Sequence, residues 1–202
     1  AAFITDMNQP LGNYIGNWLE VLEVLKILKG EIVEDLYEVS LKLSGAMIFL
    51  GGKAGSIEEG FEISKEKISS GEAYDRFLQM AELQSGDVSF LKNPGKYEKA
   101  KFAEKIFINK KGFVKSIDTY KIGVASSKLG AGRIRKEDRI DPKAGIIFHP
   151  KIGDEINSKT LIAEIFGDKK NEMDDAKKMI IDSVELSDKK TRKPKLIKKI
   201  IK

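Results

Sequence analysis

Cysteine is absent from the 202 residues, and histidine and tryptophan occur once each. Without cysteine there can be no disulfide, thiolate metal site or cysteine nucleophile, and the composition suits a reducing cytoplasm. A single histidine, His149, leaves too few ligands for a protein-built zinc centre. It sits in Ile147-Phe148-His149-Pro150 with no nucleophile pattern near it, so a structural role is expected rather than a catalytic one. No apolar run approaches the ~18 residues of a membrane span. The first residues, Ala-Ala-Phe-Ile-Thr-Asp, lack the basic and apolar regions of a secretory leader. They also lack an initiator Met and read as a strand entered midway, so the chain is expected to begin inside a larger protein.

What is present is enough to build a core. Hydrophobic residues make up 41% of the chain and charged residues 33%, which argues against wholesale disorder. The net charge of +5 is concentrated at one end. Residues 189–202 carry eight Lys or Arg and no acid, leaving 28 basic against 31 acidic residues elsewhere. Such a tail could contact nucleic acid or anionic lipid. No aromatic residue interleaves its charges to stack on bases. A solvated segment with Leu196, Ile197, Ile200 and Ile201 docked on the body is therefore expected, and nucleic acid is not expected as a partner.

Periodicity predicts a strand at 2–5, a turn-rich loop at 6–13 and a helix over 16–29 carrying Trp18, Val21, Leu22, Leu25 and Leu28. A second helix is expected over 34–50, with Leu36, Val39, Leu43, Met47 and Leu50 as one stripe and Leu41 and Ile48 off it, so that more than one side is buried. Ser56-Ile57-Glu58-Glu59 has the form of a capping box and should open a third helix ending near Gly71. A fourth, near 72–84, would pack through Ala73, Phe77, Met80 and Ala81. After Asn93-Pro94-Gly95 strands take over. Those at 101–108 and 113–117 are expected to form a hairpin about Asn109-Lys110-Lys111-Gly112. A helix capped by Asp118 or Thr119 should run to Leu129, strands should flank Lys151-Ile152-Gly153-Asp154, and a last helix should lie near 171–187. The predicted fold is α+β, with a helical segment at 1–88, a linker at 89–98 and an α+β domain with a β-hammerhead-like sheet at 99–202.

Two motifs invite functional readings. Gly130-Ala131-Gly132-Arg133 looks like a phosphate-holding turn, but a helix precedes it and no third glycine follows, so a helix C-cap is the expectation. Lys151-Ile152-Gly153-Asp154-Glu155-Ile156 has the rhythm of biotinyl and lipoyl carrier domains, yet no Met-Lys-Met or Asp-Lys-Ala hairpin is there to carry the group. Arg133, Arg135 and Lys136 with Glu137, Asp138 and Asp141 read as surface ion pairs.

Two stretches together resemble the pyrimidine-nucleoside (thymidine) phosphorylase family, in its C-terminal portion. One is Ile4-Thr5-Asp6-Met7-Asn8-Gln9-Pro10-Leu11-Gly12 followed by Gly16-Asn17, Leu19-Glu20-Val21, Glu23 and Leu28-Lys29-Gly30. The other is Leu129-Gly130-Ala131-Gly132-Arg133, Lys136-Glu137-Asp138, Ile140-Asp141, Gly145-Ile146 and Lys151-Ile152-Gly153-Asp154. The resemblance implies a pentosyltransferase of pyrimidine salvage, a homodimer as a full-length protein, with inorganic phosphate as co-substrate and no required cofactor. Phosphate attacks C1′ of thymidine or uridine and the base departs. The family's phosphate loop and its base-holding Arg, Ser and Lys match nothing here, so this chain alone is expected to hold no catalytic or substrate-binding residue and to be inactive. One family site reaches these residues: a monovalent cation, potassium, for which Leu11 and Tyr14 would offer carbonyls and Glu23 a carboxylate. Tyr14 stands where a smaller residue is common. The rival expectation is a stand-alone, non-catalytic module whose basic tail contacts nucleic acid or a protein partner.

Overall fold

The computed structural model describes residues 1–201. Lys202, the last cation of the basic tail, lies outside the described residues. The chain forms two compact units, each discontinuous in sequence. Of the described residues, the first comprises 1–5, 22–97 and 196–201, and the second 6–21 and 98–195. The two units meet in sequence at Tyr97 and Glu98, and residues 6–21 belong with the second unit while 196–201 belong with the first.

The first unit is mostly helical. Helix α1 (Asn17–Leu28) supplies its last turns, with Leu25 and Ile27 buried. Helix α2 (Glu34–Leu50) follows, and α3 (Ile57–Ser69) packs along it. Ser56 caps α3, its Oγ accepting from Glu59 N at 3.0 Å. The Glu59 carboxylate returns to Gly55 N at 2.6 Å, one residue earlier than a strict capping box requires. Helices α4 (Glu72–Leu83) and α5 (Val88–Lys92) and a 3-10 turn at Pro94–Lys96 complete this part.

Two expectations fail in these helices. On α2 the buried residues are Val39, Leu41, Gly45 and Ala46, whereas Leu43, Met47 and Leu50 of the expected stripe are exposed. The contact with α3 selects the face on which glycine permits close approach, in preference to the most hydrophobic one. Helix α4 buries no residue at all, and Met80 is exposed, so its apolar stripe is not core.

Strand β1 (Ala2–Thr5) also belongs to this unit and pairs antiparallel with a strand made from the basic tail, Ile197–Ile201. The tail is thus part of the fold over those residues, through backbone pairing. The side chains of Ile200 and Ile201 remain exposed.

In the second unit, β2 (Tyr14–Ile15), β3 (Phe102–Phe107), β5 (Gly145–Phe148) and β7 (Leu161–Gly167) form a four-stranded sheet in the order β2-β5-β7-β3. A three-stranded sheet has β4 (Gly112–Ile117) between β6 (Glu155–Ile156) and β8 (Val184–Ser187). All pairings are antiparallel. With the tail strand numbered β9, the chain is an α+β fold of seven α-helices and nine strands among the described residues.

The hairpin expected at 109–112 does not form, because β3 pairs with β7 and β4 with β6 and β8. The turn residues there carry the chain from one sheet to the other. The last helix is also shorter than expected: α7 (Lys170–Asp182) stops where Ser183 Oγ bonds Ile180 O at 2.7 Å, and Val184 opens β8.

Helix α6 (Thr119–Leu129) starts as expected, with Asp118 accepting from Lys121 N at 3.0 Å. It packs on α7 over a core that includes Ile106, Ile122, Ile146, Phe148, Ile165 and Met173. Each large side chain withdrawn fully from water there contributes roughly 1.5–3 kcal/mol.

Candidate functional site

The turn-rich loop at 6–13, which holds Leu11, is fastened over residues 9–13 by a segment more than a hundred residues away. It opens with an Asx turn in which Asp6 accepts from Asn8 N at 3.2 Å and from Asn8 Nδ2 at 2.8 Å. Gln9 Oε1 then accepts from Ile152 N at 2.8 Å. The ammonium of Lys151 donates to Pro10 O at 2.7 Å and to Gly12 O at 2.5 Å. Asn13 O accepts from Phe148 N at 2.7 Å, and β2 continues the pairing, Tyr14 opposite Ile147 and Ile15 opposite Ile146.

Past the loop the chain stays fastened. Gly16 adopts φ +133°, and a Cβ there would stand 2.5 Å from Ala144 O, so only glycine fits. Asn17 Nδ2 donates to Ala131 O at 2.8 Å, and Trp18 N to Pro142 O at 3.1 Å. The parts of the two motif stretches that lie in the second unit therefore interlock. Residues 9–18 lie against residues 131 and 142–152 of the same unit.

Each contacting segment has its own local frame. Gly130 closes α6 in the left-handed region at φ +108°, which is the C-cap expected of the Gly130-Ala131-Gly132 turn. Its carbonyl accepts from Asp141 N at 2.8 Å. Asp138 accepts from Ile134 N and Arg135 N, and those bonds, Arg135 N foremost, hold its carboxyl below the usual aspartate range. The expected Arg133–Asp141 ion-pair network is thus mainly a set of carboxylate-to-backbone bonds.

Lys143 bridges Asp168 at 2.9 Å and Glu98 at 3.1 Å, and the two bonds, that to Asp168 first, raise its ammonium pKa. Asp154 of the Lys-Ile-Gly-Asp turn accepts from Lys151 N at 2.9 Å. Gly153, at φ +96°, takes a conformation that L side chains rarely adopt. The turn that presents Lys151 is therefore itself rigidly specified.

The three positions expected for a cation fall in different surroundings. Leu11 lies between the two residues whose carbonyls bind Lys151, and its own side chain is 46% exposed. Tyr14 is half-buried in β2. Glu23, on α1, is only 2% exposed and belongs to the first unit, whereas Leu11 and Tyr14 belong to the second. Main-chain carbonyls and a carboxylate are the donors a hard monovalent cation takes, so the residue chemistry fits. Among the described residues no group of three or more His, Asp or Glu could hold a metal ion.

His149 lies on the partly exposed rim of β5, its Nε2 3.6 Å from Glu164 Oε1. Lys151 and Gln9 stand among the motif residues read from the sequence, but no role was assigned to either. A Lys before a Gly-Asp turn is unremarkable until its acceptors are seen.

The C-terminal domain of pyrimidine nucleoside phosphorylase, as a family model, matches residues 113–187, which run from β4 to the end of β8. Pyrimidine-nucleoside phosphorylases of Staphylococcus aureus, strains USA300 and NCTC 8325 among them, are 38% identical over 200 residues. The alignment takes in 99% of this chain and 46% of each relative.

Over nearly its whole length the chain is similar to members of the pyrimidine-nucleoside phosphorylase family. It spans about half the length of the relatives it matches. The likeness extends well beyond the matched domain, through the helices and the loop at 6–13. No helix among the described residues is long and apolar enough to cross a membrane.

Proposed function

We propose that this chain is the C-terminal part of a cytoplasmic, homodimeric pyrimidine-nucleoside phosphorylase. In that protein residues 1–88 end the α/β phosphorylase domain, residues 89–98 link, and residues 99–202 form the C-terminal domain. The observation that supports the reading is identity of 38% sustained over 99% of the chain, in both units and not in one motif.

The reaction of the whole protein is attack of an inorganic phosphate oxygen on C1′ of thymidine or uridine. The C1′–N1 bond breaks, its electron pair leaves with the base, and the base is protonated to thymine or uracil. The sugar is released as its 1-phosphate. Negative charge must be held on phosphate and on the departing base, which needs preorganised donors at both ends. Those donors belong to the rest of the protein.

This chain's contribution is positional. Through Lys151, Gln9 and the β2–β5 ladder it holds the loop at 9–15 in one path. Within the second unit, the carbonyls of Leu11 and Tyr14 would be offered to a potassium ion, as the resemblance implies. That ion would supply fixed positive charge and no covalent chemistry.

The test is phosphate-dependent release of thymine and uracil by the whole protein and, in parallel, by this chain. Activity in the first and none in the second is expected. Release by the isolated chain would overturn the assignment of chemistry to the rest of the protein. An inactive whole protein would overturn the phosphorylase reading itself.

A further inference from the structure

Lys151 is the side chain through which the Lys-Ile-Gly-Asp turn grips the loop. Its ammonium accounts for two main-chain carbonyls, Pro10 O at 2.7 Å and Gly12 O at 2.5 Å, in a partly buried setting. A carbonyl cradle of this kind is what a potassium or ammonium ion takes. Here the cation is covalently attached, so it cannot exchange with solvent, and it reaches the cradle from 139 residues away.

Its own mounting is stiff. Lys151 N is fixed on Asp154 Oδ2 at 2.9 Å, and Lys151 O accepts from Asp154 N at 3.0 Å. Next door, Ile152 N takes Gln9 Oε1. Phe148 N, three residues before Lys151, takes Asn13 O. The loop's acceptors from 9 to 13 thus meet donors from the single short segment 148–152.

We propose that Lys151 is a positioning residue acting as a tethered monovalent cation: its ammonium sets the main-chain path of residues 9–14. In doing so it sets where the carbonyls of Leu11 and Tyr14 lie. The effect on turnover rests on the phosphorylase reading, whereas the ordering of the loop does not. A neutral side chain of equal length would keep the packing of the stem and lose the cradle. An arginine would keep charge and donors. Those two substitutions therefore separate a role for the cation from a role for the side chain's bulk.

The decisive measurement is residue-resolved amide hydrogen exchange on this chain, with amides in α6 and α7 as the reference for overall folding. Lys151→Met is expected to speed exchange at residues 11–15 by about ten-fold or more, with the reference amides unchanged. Lys151→Arg is expected to restore most of the protection. In Lys151→Ala, added ammonium should slow loop exchange, and tetramethylammonium at equal ionic strength, having no N–H to donate, should not. Unchanged exchange in Lys151→Met, equal behaviour of the Met and Arg variants, or equal effects of the two salts would each overturn the proposal. Should the variants fail to fold, the unaltered chain decides. NMR couplings across hydrogen bonds from Lys151 Nζ to the Pro10 and Gly12 carbonyl carbons are expected, and their absence overturns it. In the whole protein Lys151→Met should lower kcat with Lys151→Arg recovering it. An unaltered protein without activity sinks the phosphorylase reading and leaves the exchange result standing.

Discussion

Gly45 of α2 and Gly60 of α3 meet backbone against backbone. A Cβ on Gly45 would stand 2.5 Å from Phe61 N, and a Cβ on Gly60 would press on the carbonyl oxygen of Gly45 and lie 3.0 Å from its Cα. Two helices approach this closely only where neither carries a side chain at the crossing. This contact explains why α2 buries the face holding Gly45 and Ala46 and leaves the larger Met47 and Leu50 exposed.

Gly60→Ala is therefore expected to destabilise the chain. Helix propensity alone would favour alanine by roughly 0.5–1 kcal/mol. Forcing a methyl into a packed backbone contact costs about 1–3 kcal/mol, which decides the sign. Gly123 is the control, because it lies inside α6 with nothing within 4 Å of its would-be Cβ. Gly123→Ala should stabilise by about 0.5–1 kcal/mol. Urea unfolding of the two variants, followed by far-UV circular dichroism, reads both signs.

Asp168 makes the second unit sensitive to acid. Its carboxylate accepts from Lys101 N at 2.8 Å and from Lys143 Nζ at 2.9 Å. Those bonds, that from Lys101 N first, hold its pKa below the ordinary 3.8. A depressed carboxylate stabilises the fold at pH above its unfolded value and loses that contribution as pH falls through the lower folded one. Glu104, held below 4.5 chiefly by Lys177, behaves in the same sense. The urea midpoint should therefore fall as pH drops below about 4.5. Asp168→Asn should be less stable at neutral pH and show a shallower fall. An unchanged slope in that variant would mean that Asp168 contributes nothing to it.

The helices were legible because their signals are local. Ser56 and Asp118 sit one residue before the helices they cap, and Gly130 ends α6 by its own left-handed φ. Sheet partners were not legible, since nothing around Gly112 shows that β4 will pair with Val184–Ser187 and not with its neighbour β3. The same holds for β9, whose pairing with β1 joins the two ends of the chain. At the site, Gly16 and Gly145 were visible as motif letters, and their mutual contact was not. Lys151 was visible as a cation, while its acceptors lie 139 and 141 positions earlier.

The basic tail should bind nucleic acid only loosely. Over Ile197–Ile201 its backbone is engaged with β1, and residues 189–202 include no aromatic side chain. Cations alone give binding that weakens steeply with salt. An electrophoretic shift seen at low salt should vanish at about 150 mM. A shift that persists there and disappears on deleting 189–202 would favour a nucleic-acid-binding module over a positional role.

Gly145→Ala tests whether seating of the loop matters for the proposed activity. A Cβ on Gly145 would run into Ile15 O and stand 2.8 Å from Leu19 Cδ1 and 3.2 Å from Gly16 Cα. The methyl must push β2 and the start of α1 away from β5, at a cost of about 1–3 kcal/mol. The core beneath, with Ile146 and Phe148 fully buried, has its own contacts to α6 and β7 and should stay folded. In the whole protein kcat/KM for thymidine should drop by about ten-fold or more, each 1.4 kcal/mol lost from the seated loop counting as a factor of ten. Circular dichroism should be unchanged. If turnover instead survives while amide exchange shows the loop released, the path of residues 9–16 has no bearing on catalysis, and the positional role given to this chain falls.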